Sequence, residues 1–328
     1  MAASGGAVPA RRAPAGAEYL GLLAVLLALV ALFGGFTDHF LSRTTFTALA
    51  NQVPSLTVVA VGMTFVLVLA GIDLSVGSVL ALCGAILGGA MANQGWDLLP
   101  SVALALGAGL GVGLLNGLVT VRWAIPSFIV TLGTLEVARG ATYLAVDSRA
   151  LFVGSGVESI GAPLPGVGLS PAFFLALLVV AAGQVVLVRT VFGRYVVAIG
   201  TNEEAVRLSG IDPRPTKVAV FALSGLLAGL GGVFQVAYLE TADPNAGIGL
   251  ELSAIAAVVI GGTSLMGGRG SVVSSFLGVL VIAVLQAGLA QLGATEPTKR
   301  VVTGAVIVLA VIVDAYRQRF SQRRAGVA

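Results

Sequence analysis

The apolar runs of this chain, each about as long as a bilayer is thick, constrain its fold more than any other feature. A hydrocarbon core about 30 Å thick needs about 20 apolar residues per helix. Hydrophobic residues make up 57% of the 328 residues, charged residues make up 10%, and the mean hydropathy is +1.02. A soluble chain would carry about 25% charged residues. The sequence therefore predicts an all-α integral membrane protein.

Ten of these runs are candidate transmembrane helices, at roughly 19–36, 46–70, 74–93, 98–121, 124–146, 171–189, 217–238, 252–268, 270–291 and 299–316. The last run has the shortest apolar part, so a count of nine stays open. Ten spans put both termini on one side of the membrane. With the termini inside, only four basic residues fall in outside loops, at Arg43, Arg149, Lys299 and Arg300. This bias favours an N-in, C-in topology.

The predicted domain organisation is a single membrane domain, 18–316, between two short cytoplasmic tails, 1–17 and 317–328. The second tail is basic. The segment Asp147–Ser170 is rich in Gly, Pro and Ser and lacks a helical period, which predicts an external loop that acts as a lid or as a docking surface.

Two glycine-containing segments interrupt apolar runs, "LAGIDLSVGS" at 69–78 and "IGGTSLMGGRGS" at 260–271. Broken helices are tolerated at membrane depth only where protein or a water-filled cavity surrounds them. The segments share a pattern, AG-I-D-L-S against GG-T-S-L-M, and an internal repeat and a chance similarity both stay open. Paired interruptions of this kind are typical of the central pathway of a transporter.

Asp73 is an acidic residue inside the first interrupted segment. It stands where it could cap a helix that begins at Leu74, and direct contact with a substrate is the alternative. Glu136 and Arg139 are three residues apart on one predicted helix, a spacing that lets them neutralise each other.

The sequence offers no chemistry for an enzyme. The single histidine, His39, lies outside the first span, so neither a buried Ser-His pair nor a metal-binding histidine cluster is expected. No G-x-x-x-x-G-K-[ST] motif supplies a nucleotide site, and no cofactor is expected. The basic residues follow membrane topology rather than forming a patch with aromatic residues, so no nucleic acid partner is expected.

The longest predicted cytoplasmic segment, Arg189–Lys217, contains "TNEEAVRLSGI". Asn202 can cap a short helix here, Glu203 and Glu204 suit its first turn, and Gly210 can end it. Taken alone, the segment favours an ordinary solvated surface helix, and a protruding contact for a partner is the alternative.

Four stretches together carry a family resemblance: "GMTFVLVLAGIDLSVGSVLAL" (62–82), "NGLVTVRWAIPSFIVTLGTLEVARGATYL" (116–144), "GRYVVAIGTNEEAVRLSGI" (193–211) and "AVVIGGTSLMGGRGSVVSSFLGVLV" (257–281). In this order they resemble the permease subunits of ribose, xylose, arabinose and galactose ABC importers, over roughly residues 45–316. Two departures are small. Ala70 stands where a second glycine is expected before Gly71, and Cys83 replaces a small residue.

The resemblance implies a homodimeric permease in the bacterial cytoplasmic membrane that passes a monosaccharide, a ribose-like pentose or a hexose. An extracytoplasmic sugar-binding protein would deliver the sugar, and a separate ATPase with two fused nucleotide-binding halves would drive transport. The rival class is an ion-coupled secondary transporter in which Asp73 or Glu136 carries a proton.

The same resemblance assigns roles to particular residues. The ATPase-coupling element would be Gly200–Gly210, with Gly200, Asn202, Glu203, Glu204, Ala205, Arg207, Leu208 and Gly210 as its residues. The Asp73 segment and residues 126–134 would line or shape the translocation path, whose candidate residues are Asp73, Ser75, Ser78, Asn116, Phe128, Thr131 and Thr134. The candidates for docking the binding protein are Glu240, Asp243 and Glu251.

Overall fold

The structure is a computed structural model that describes residues 17–306, 308, 309 and 312. Helices dominate it, as predicted. The α-helices are α1 (Ala17–Phe36), α2 (Arg43–Gln52), α3 (Pro54–Val68), α4 (Val76–Gly88), α5 (Leu98–Arg122), α6 (Ser127–Ala145), α7 (Glu158–Gly161), α8 (Pro171–Arg189), α9 (Val191–Thr201), α10 (Glu203–Leu208), α11 (Arg214–Leu239), α12 (Leu250–Ile260) and α13 (Val272–Gln291). Residues 296–306 are helical as well. Residues 1–16 and 317–328, which hold almost all of the two predicted tails, lie outside the described residues.

Two very short strands are the β-structure of the described residues. Strand β1 (Leu151–Phe152) pairs antiparallel with β2 (Thr241–Ala242). After β1 the chain forms a 3-10 turn, Gly154–Val157, and then α7. The segment 147–170 therefore contains short helical turns, whereas the sequence predicts a loop without helical structure. Short helical turns of this length carry no apolar periodicity, which is why the sequence pattern does not reveal them.

Six helices of the described part are long and apolar enough to cross a membrane: α1, α4 extended by the π-helical turn Gly89–Asn93, α5, α8, α11 and α13. Helices α2 and α3 form a seventh candidate that bends by 47° between them. The 19-residue α6 matches a predicted span in extent, but Glu136 and Arg139 lower its hydropathy. The count of ten and the N-in, C-in topology therefore stay predictions.

The predicted span 252–268 is wrong in its extent. Helix α12 ends at Ile260 after 11 residues, which at 1.5 Å per residue covers roughly half of a bilayer core. Residues 261–271, here named the second break, are not helical, and neither are residues 69–75, the first break. Both interruptions expected from the glycine pattern are present.

The helices before the two breaks end in the same way. Ala70 N donates to Leu67 O and Gly71 N to Val66 O at the end of α3, while Gly262 N donates to Val259 O and Thr263 N to Val258 O at the end of α12. These bonds form the Schellman arrangement, in which one residue takes the left-handed conformation. That residue is Ala70 in the first case and Gly262 in the second, with φ of 64° and 85°. The structural correspondence is one residue out of register with the sequence pattern, which aligns Ala70 with Gly261.

Helix α11 lies at the centre and packs against α3, α4 and α5. Its contact with α5 is made by glycines. A Cβ atom added at Gly113 would come 3.0 Å from the Cα atom of Gly225, and one added at Gly109 would come 3.1 Å from that of Gly229. Small residues let helix backbones approach closely in lipid, where packing rather than the hydrophobic effect drives association. This close packing fixes α4 and α5 around the first break.

Candidate translocation path and ATPase-coupling segment

Side chains of α6 bind the backbone of the first break. Ile72 N donates to Ser127 Oγ, and Leu74 N donates to Thr131 Oγ1, both at 3.0 Å. Ser127 and Thr131 are four residues apart, so both lie on one face of α6. A buried amide that leaves a helix needs a new acceptor, and these two hydroxyl groups replace the lost helical carbonyls.

Asp73 is buried in the first break, with 1% of its surface exposed. Its Oδ1 accepts from Ser75 N at 3.0 Å and from Ser75 Oγ at 2.6 Å, and its Oδ2 accepts from Ser224 Oγ of α11 at 2.8 Å. Helix α4 begins at Val76 with Ser75 as its N-cap. The predicted N-cap position of Asp73 is therefore wrong. The N-cap of α4 comes two residues after Asp73, so the carboxylate stabilises the turn before the helix.

The hydrogen-bond chain continues from Ser75 to α5 and α6. Asn116 Nδ2 donates to Ser75 Oγ at 3.0 Å, and Thr134 Oγ1 donates to Asn116 Oδ1 at 2.6 Å. We name Asp73, Ser75, Asn116, Thr134 and Ser224 the polar chain. It joins the first break to α5, α6 and α11 by direct side-chain hydrogen bonds.

Five of the seven predicted path residues thus lie together around the first break: Asp73, Ser75, Asn116, Thr131 and Thr134. Ser78 is buried on α4, one turn beyond Ser75, and Phe128 is 47% exposed on α6. Neither belongs to the polar chain. Sequence reasoning missed Ser224, although a buried carboxylate with two oxygens requires more donors than its neighbours supply.

Side chains from other elements also support the second break. Gln184 Oε1 of α8 accepts from Ser271 Oγ at 3.3 Å and from Val273 N at 3.2 Å. Ser271 in turn caps α13 by accepting from Ser274 N. At both breaks, therefore, backbone amides bind side chains of a neighbouring helix: within the break itself in the first case and in the first turn of α13 in the second.

The short helix predicted between Asn202 and Gly210 is α10. Asn202 Oδ1 accepts from Ala205 N at 2.9 Å, which confirms the predicted cap. Gly210 has φ of 84°, and Ile211 N donates to Val206 O, which confirms that the helix ends at this glycine.

Both acidic residues of α10 have partners within the chain. Glu203 pairs with Lys217 of α11 at 2.7 Å, and Glu204 pairs with Arg207 at 3.0 Å. Val206 is buried, whereas Leu208 is 79% exposed. The surface that α10 presents is therefore apolar at Leu208, and Glu203 anchors the helix to α11.

Arg139 does not form the predicted ion pair with Glu136. Its Nη1 donates to the carbonyl oxygens of Pro244 at 2.7 Å and Ala246 at 2.9 Å. Glu136 is exposed on α6. The loop after α11 brings two carbonyl groups within reach of the guanidinium, a long-range contact that helical spacing cannot reveal.

The three docking candidates are half-buried. Asp243 Oδ1 accepts from Asn245 N at 2.9 Å and so stabilises its own turn. Glu240 O accepts from Val153 N at 2.8 Å, next to the β1–β2 pairing. Glu251 Oε2 lies against Gly77 of α4. The loops 147–170 and 240–249 therefore form one joined surface.

The loop 147–170 is also tied to α2. Asn51 Nδ2 donates to Gly168 O at 3.0 Å, and its Oδ1 accepts from Ser170 N at 2.7 Å. Arg43 Nη2 donates to Gly166 O at 3.1 Å. These bonds hold the C-terminal end of the loop to the helical body.

The described residues hold no group of three His, Cys, Asp or Glu side chains that could bind a metal ion. The chemistry of the site is thus that of neutral hydroxyl and amide groups around one carboxylate.

Comparisons with known proteins place the chain among transport permeases. Residues 45–311 match the family described as branched-chain amino acid transport system / permease component. The ribose import permease protein RbsC of Escherichia coli K12 is 39% identical over 303 residues, covering 90% of this chain and 93% of that protein. RbsC of Bacillus subtilis is 39% identical over 307 residues, with 90% and 92% covered.

A sugar permease with another named substrate is similar along its whole length too. The L-arabinose ABC transporter permease protein AraH of Azospirillum brasilense is 33% identical over 308 residues, covering 93% of this chain and 89% of that protein. No solved structure matches the chain. The family match spans most of the chain, and the relatives that are similar over about 90% of the chain are also named as permease proteins. The chain therefore belongs to the branched-chain amino acid transport system permease component family of ABC transporters.

Proposed function

We propose that this chain is the membrane permease of an importer that moves a monosaccharide, a pentose or a hexose, across the bacterial cytoplasmic membrane. Energy comes from a separate ATPase with two fused nucleotide-binding halves, and an extracytoplasmic binding protein delivers the sugar. The named substrates of the relatives, ribose and L-arabinose, support the sugar class.

One observation carries the ATP-driven mechanism: α10 is a capped and anchored helix between α9 and α11. A helix of six residues is only marginally stable by itself, because the free-energy cost of nucleation exceeds the stabilisation from its few hydrogen bonds. Here Asn202, Gly210 and the Glu203–Lys217 pair fix it. Its exposed Leu208 gives the helix an apolar side chain for a hydrophobic groove of the partner, as in helix-in-groove contacts.

The polar chain is proposed to shape the translocation path rather than to bind sugar tightly. The oxygens of Asp73 accept from Ser75 and Ser224, so the carboxylate is satisfied within the protein. Thr134, which is half-buried, brings this chain toward the surface of α6. A weakly polar wall lets a hydroxylated solute pass without trapping it.

A second copy of the chain is the proposed partner at α6. Glu136 is exposed there among exposed apolar residues such as Leu132 and Val137. A charged side chain facing lipid near the centre of a helix costs at least about 2.5 kcal/mol. Covering this face with a second copy, or lining a wet path with it, removes that cost.

The burial of Asp73 argues against the rival function, a proton-coupled secondary transporter. A coupling acid must exchange protons with water, and Asp73 is 1% exposed and bound by three donors. Glu136 stays a candidate for that role, so the test must include it.

The test is sugar uptake by proteoliposomes that hold the permease, its ATPase and its binding protein. Uptake of labelled ribose, arabinose or fructose should require ATP and should be unaffected by a proton ionophore. Leu208→Glu should prevent copurification of the ATPase while the permease folds normally, because this side chain contacts little of its own chain. Ionophore-sensitive uptake without ATPase, lost in Glu136→Gln, would establish the rival.

A further inference from the structure

The two breaks and the end of α9 meet at one point of the molecule. Gly268 N of the second break donates at 2.8 Å to the carbonyl oxygen of Val68, the last residue of α3. One backbone hydrogen bond therefore joins the second break to the helix end that directly precedes the first break. A Cβ atom added at Gly267 would also come 3.0 Å from Ala70 N, so the second break packs against the first break itself.

Gly200 of α9 lies directly on this hydrogen bond. A Cβ atom added at Gly200 would overlap the Val68 oxygen and come 2.8 Å from Gly268 N. A Cβ atom at Gly267 would come 2.6 Å from Gly200 O, and one at Gly268 would come 3.1 Å from the Cα atom of Thr201. Only glycine permits three backbone segments to touch in this way, and we name Gly200, Gly267 and Gly268 the glycine junction.

Helix α10 continues from the glycine junction almost without interruption. Asn202 is the one residue between α9 and α10, and it is both the C-cap of α9 and the N-cap of α10. Its backbone N donates to Ala198 O of α9 at 3.0 Å while its side chain caps α10. The angle between the two helices is therefore fixed, and a displacement of α10 must move Gly200.

We propose that the glycine junction transmits the displacement of α10 to both breaks. Gly200, which the family resemblance groups with the ATPase-coupling residues, packs against Val68 and Gly268 and acts as a positioning residue that does not contact the ATPase. Packed backbone transmits a shift because a close-packed interior does not deform to absorb it. A side chain can change its rotamer and so lose a contact, whereas backbone atoms in contact have no such freedom. The inference rests on the proposed function, since the ATPase is what moves α10.

Gly200→Ala tests the proposal at the contact itself. The variant should still bind its ATPase and hydrolyse ATP, because the α10 surface is unchanged, but sugar moved per ATP should fall about tenfold, a coupling loss of ordinary size. Gly113→Ala adds a clash of the same kind, with the carbonyl oxygen of Phe221 between α5 and α11, far from the junction in sequence, and should lower the amount of folded protein without changing sugar per ATP. An unchanged ratio in Gly200→Ala, or loss of ATPase binding, overturns the proposal.

A second measurement leaves all the glycines in place. Spin labels are attached at Ser209→Cys, at the end of α10, and at Met266→Cys, both exposed in the native chain, with Cys83 replaced and unlabelled protein in excess. The distance between them should stay the same when the ATPase binds ATP, while the distance from Ser209→Cys to Leu144→Cys on α6 changes. Equal changes in both distances, or no change in either, overturn the proposal.

The two failures can be told apart. If wild-type protein imports no sugar with its ATPase, the proposed function fails. If the wild-type protein imports sugar and Gly200→Ala does so with the same yield per ATP, only the glycine junction fails.

Discussion

Asp73 shows at the residue scale how a membrane protein accommodates a buried carboxylate without a cation beside it. Two serines provide three donors, one of them from α11. Hydrogen bonds to a charged form are stronger than neutral ones. The carboxylate therefore fixes the geometry of the first break against a distant helix.

We expect Asp73→Asn to retain most transport and Asp73→Leu to lose it together with stability. The asparagine oxygen can accept from Ser75 while its amide donates to the Ser224 hydroxyl. Leucine leaves the Ser75 and Ser224 donors unpaired, at about 1 to 3 kcal/mol for each. Thermal unfolding in detergent and uptake assays measure both effects. Complete loss in both variants at normal membrane levels would show that the charge itself is needed.

Ala70 has a left-handed backbone, with φ of 64°, at the position where a glycine was expected. A Cβ atom in this conformation costs roughly 1 to 2 kcal/mol. Ala70→Gly should therefore raise the unfolding temperature. Ala103→Gly, on an exposed face of α5, should lower it because it only adds chain entropy to the unfolded state. A lower unfolding temperature for Ala70→Gly would mean that contacts of the Ala70 methyl group outweigh its strain.

At the element scale, α10 is a short helix that an ion pair ties to α11, in addition to its caps. Glu203→Lys should bring two ammonium groups together, release α10 from α11 and reduce copurification of the ATPase. The exchange Glu203→Lys with Lys217→Glu restores opposite charges and should recover most of it. Glu204→Lys, which opposes the exposed Arg207, should have a smaller effect, because surface pairs contribute about 0 to 1 kcal/mol. Failure of the exchange to recover binding would mean that the ATPase contacts Glu203 directly.

Helix α10 also shows which element features a sequence can reveal. Its cap, first turn and terminal glycine are local, and the pattern identified each one. The Glu203–Lys217 pair joins residues from different helices and was not identified. Local signals are set by nearest neighbours along the chain, whereas the partner of an anchoring side chain depends on how helices pack.

At the scale of the whole molecule, the loops 147–170 and 240–249 form one surface that we expect to dock the binding protein. Reversing Glu240 and Glu251 together should raise the binding-protein concentration for half-maximal ATPase stimulation, and the effect should shrink at high salt. Asp243→Asn keeps the acceptor for its turn and tests charge alone. No change at low salt would remove these residues from the interface.

The sequence by itself determined the class of the molecule, because the length and apolarity of helical runs are set by the bilayer and not by packing. It also determined where two helices break and where α10 begins and ends, since glycine, asparagine and proline affect the backbone conformation of the turn in which they lie. Only the tertiary structure decided what the polar residues do. Asp73 binds Ser224 across 151 residues, Arg139 binds the Pro244 loop rather than Glu136, and Gly200 packs against the hydrogen bond between the second break and the end of α3. These contacts require the helices to be in place, because each joins groups that no periodicity along the chain relates.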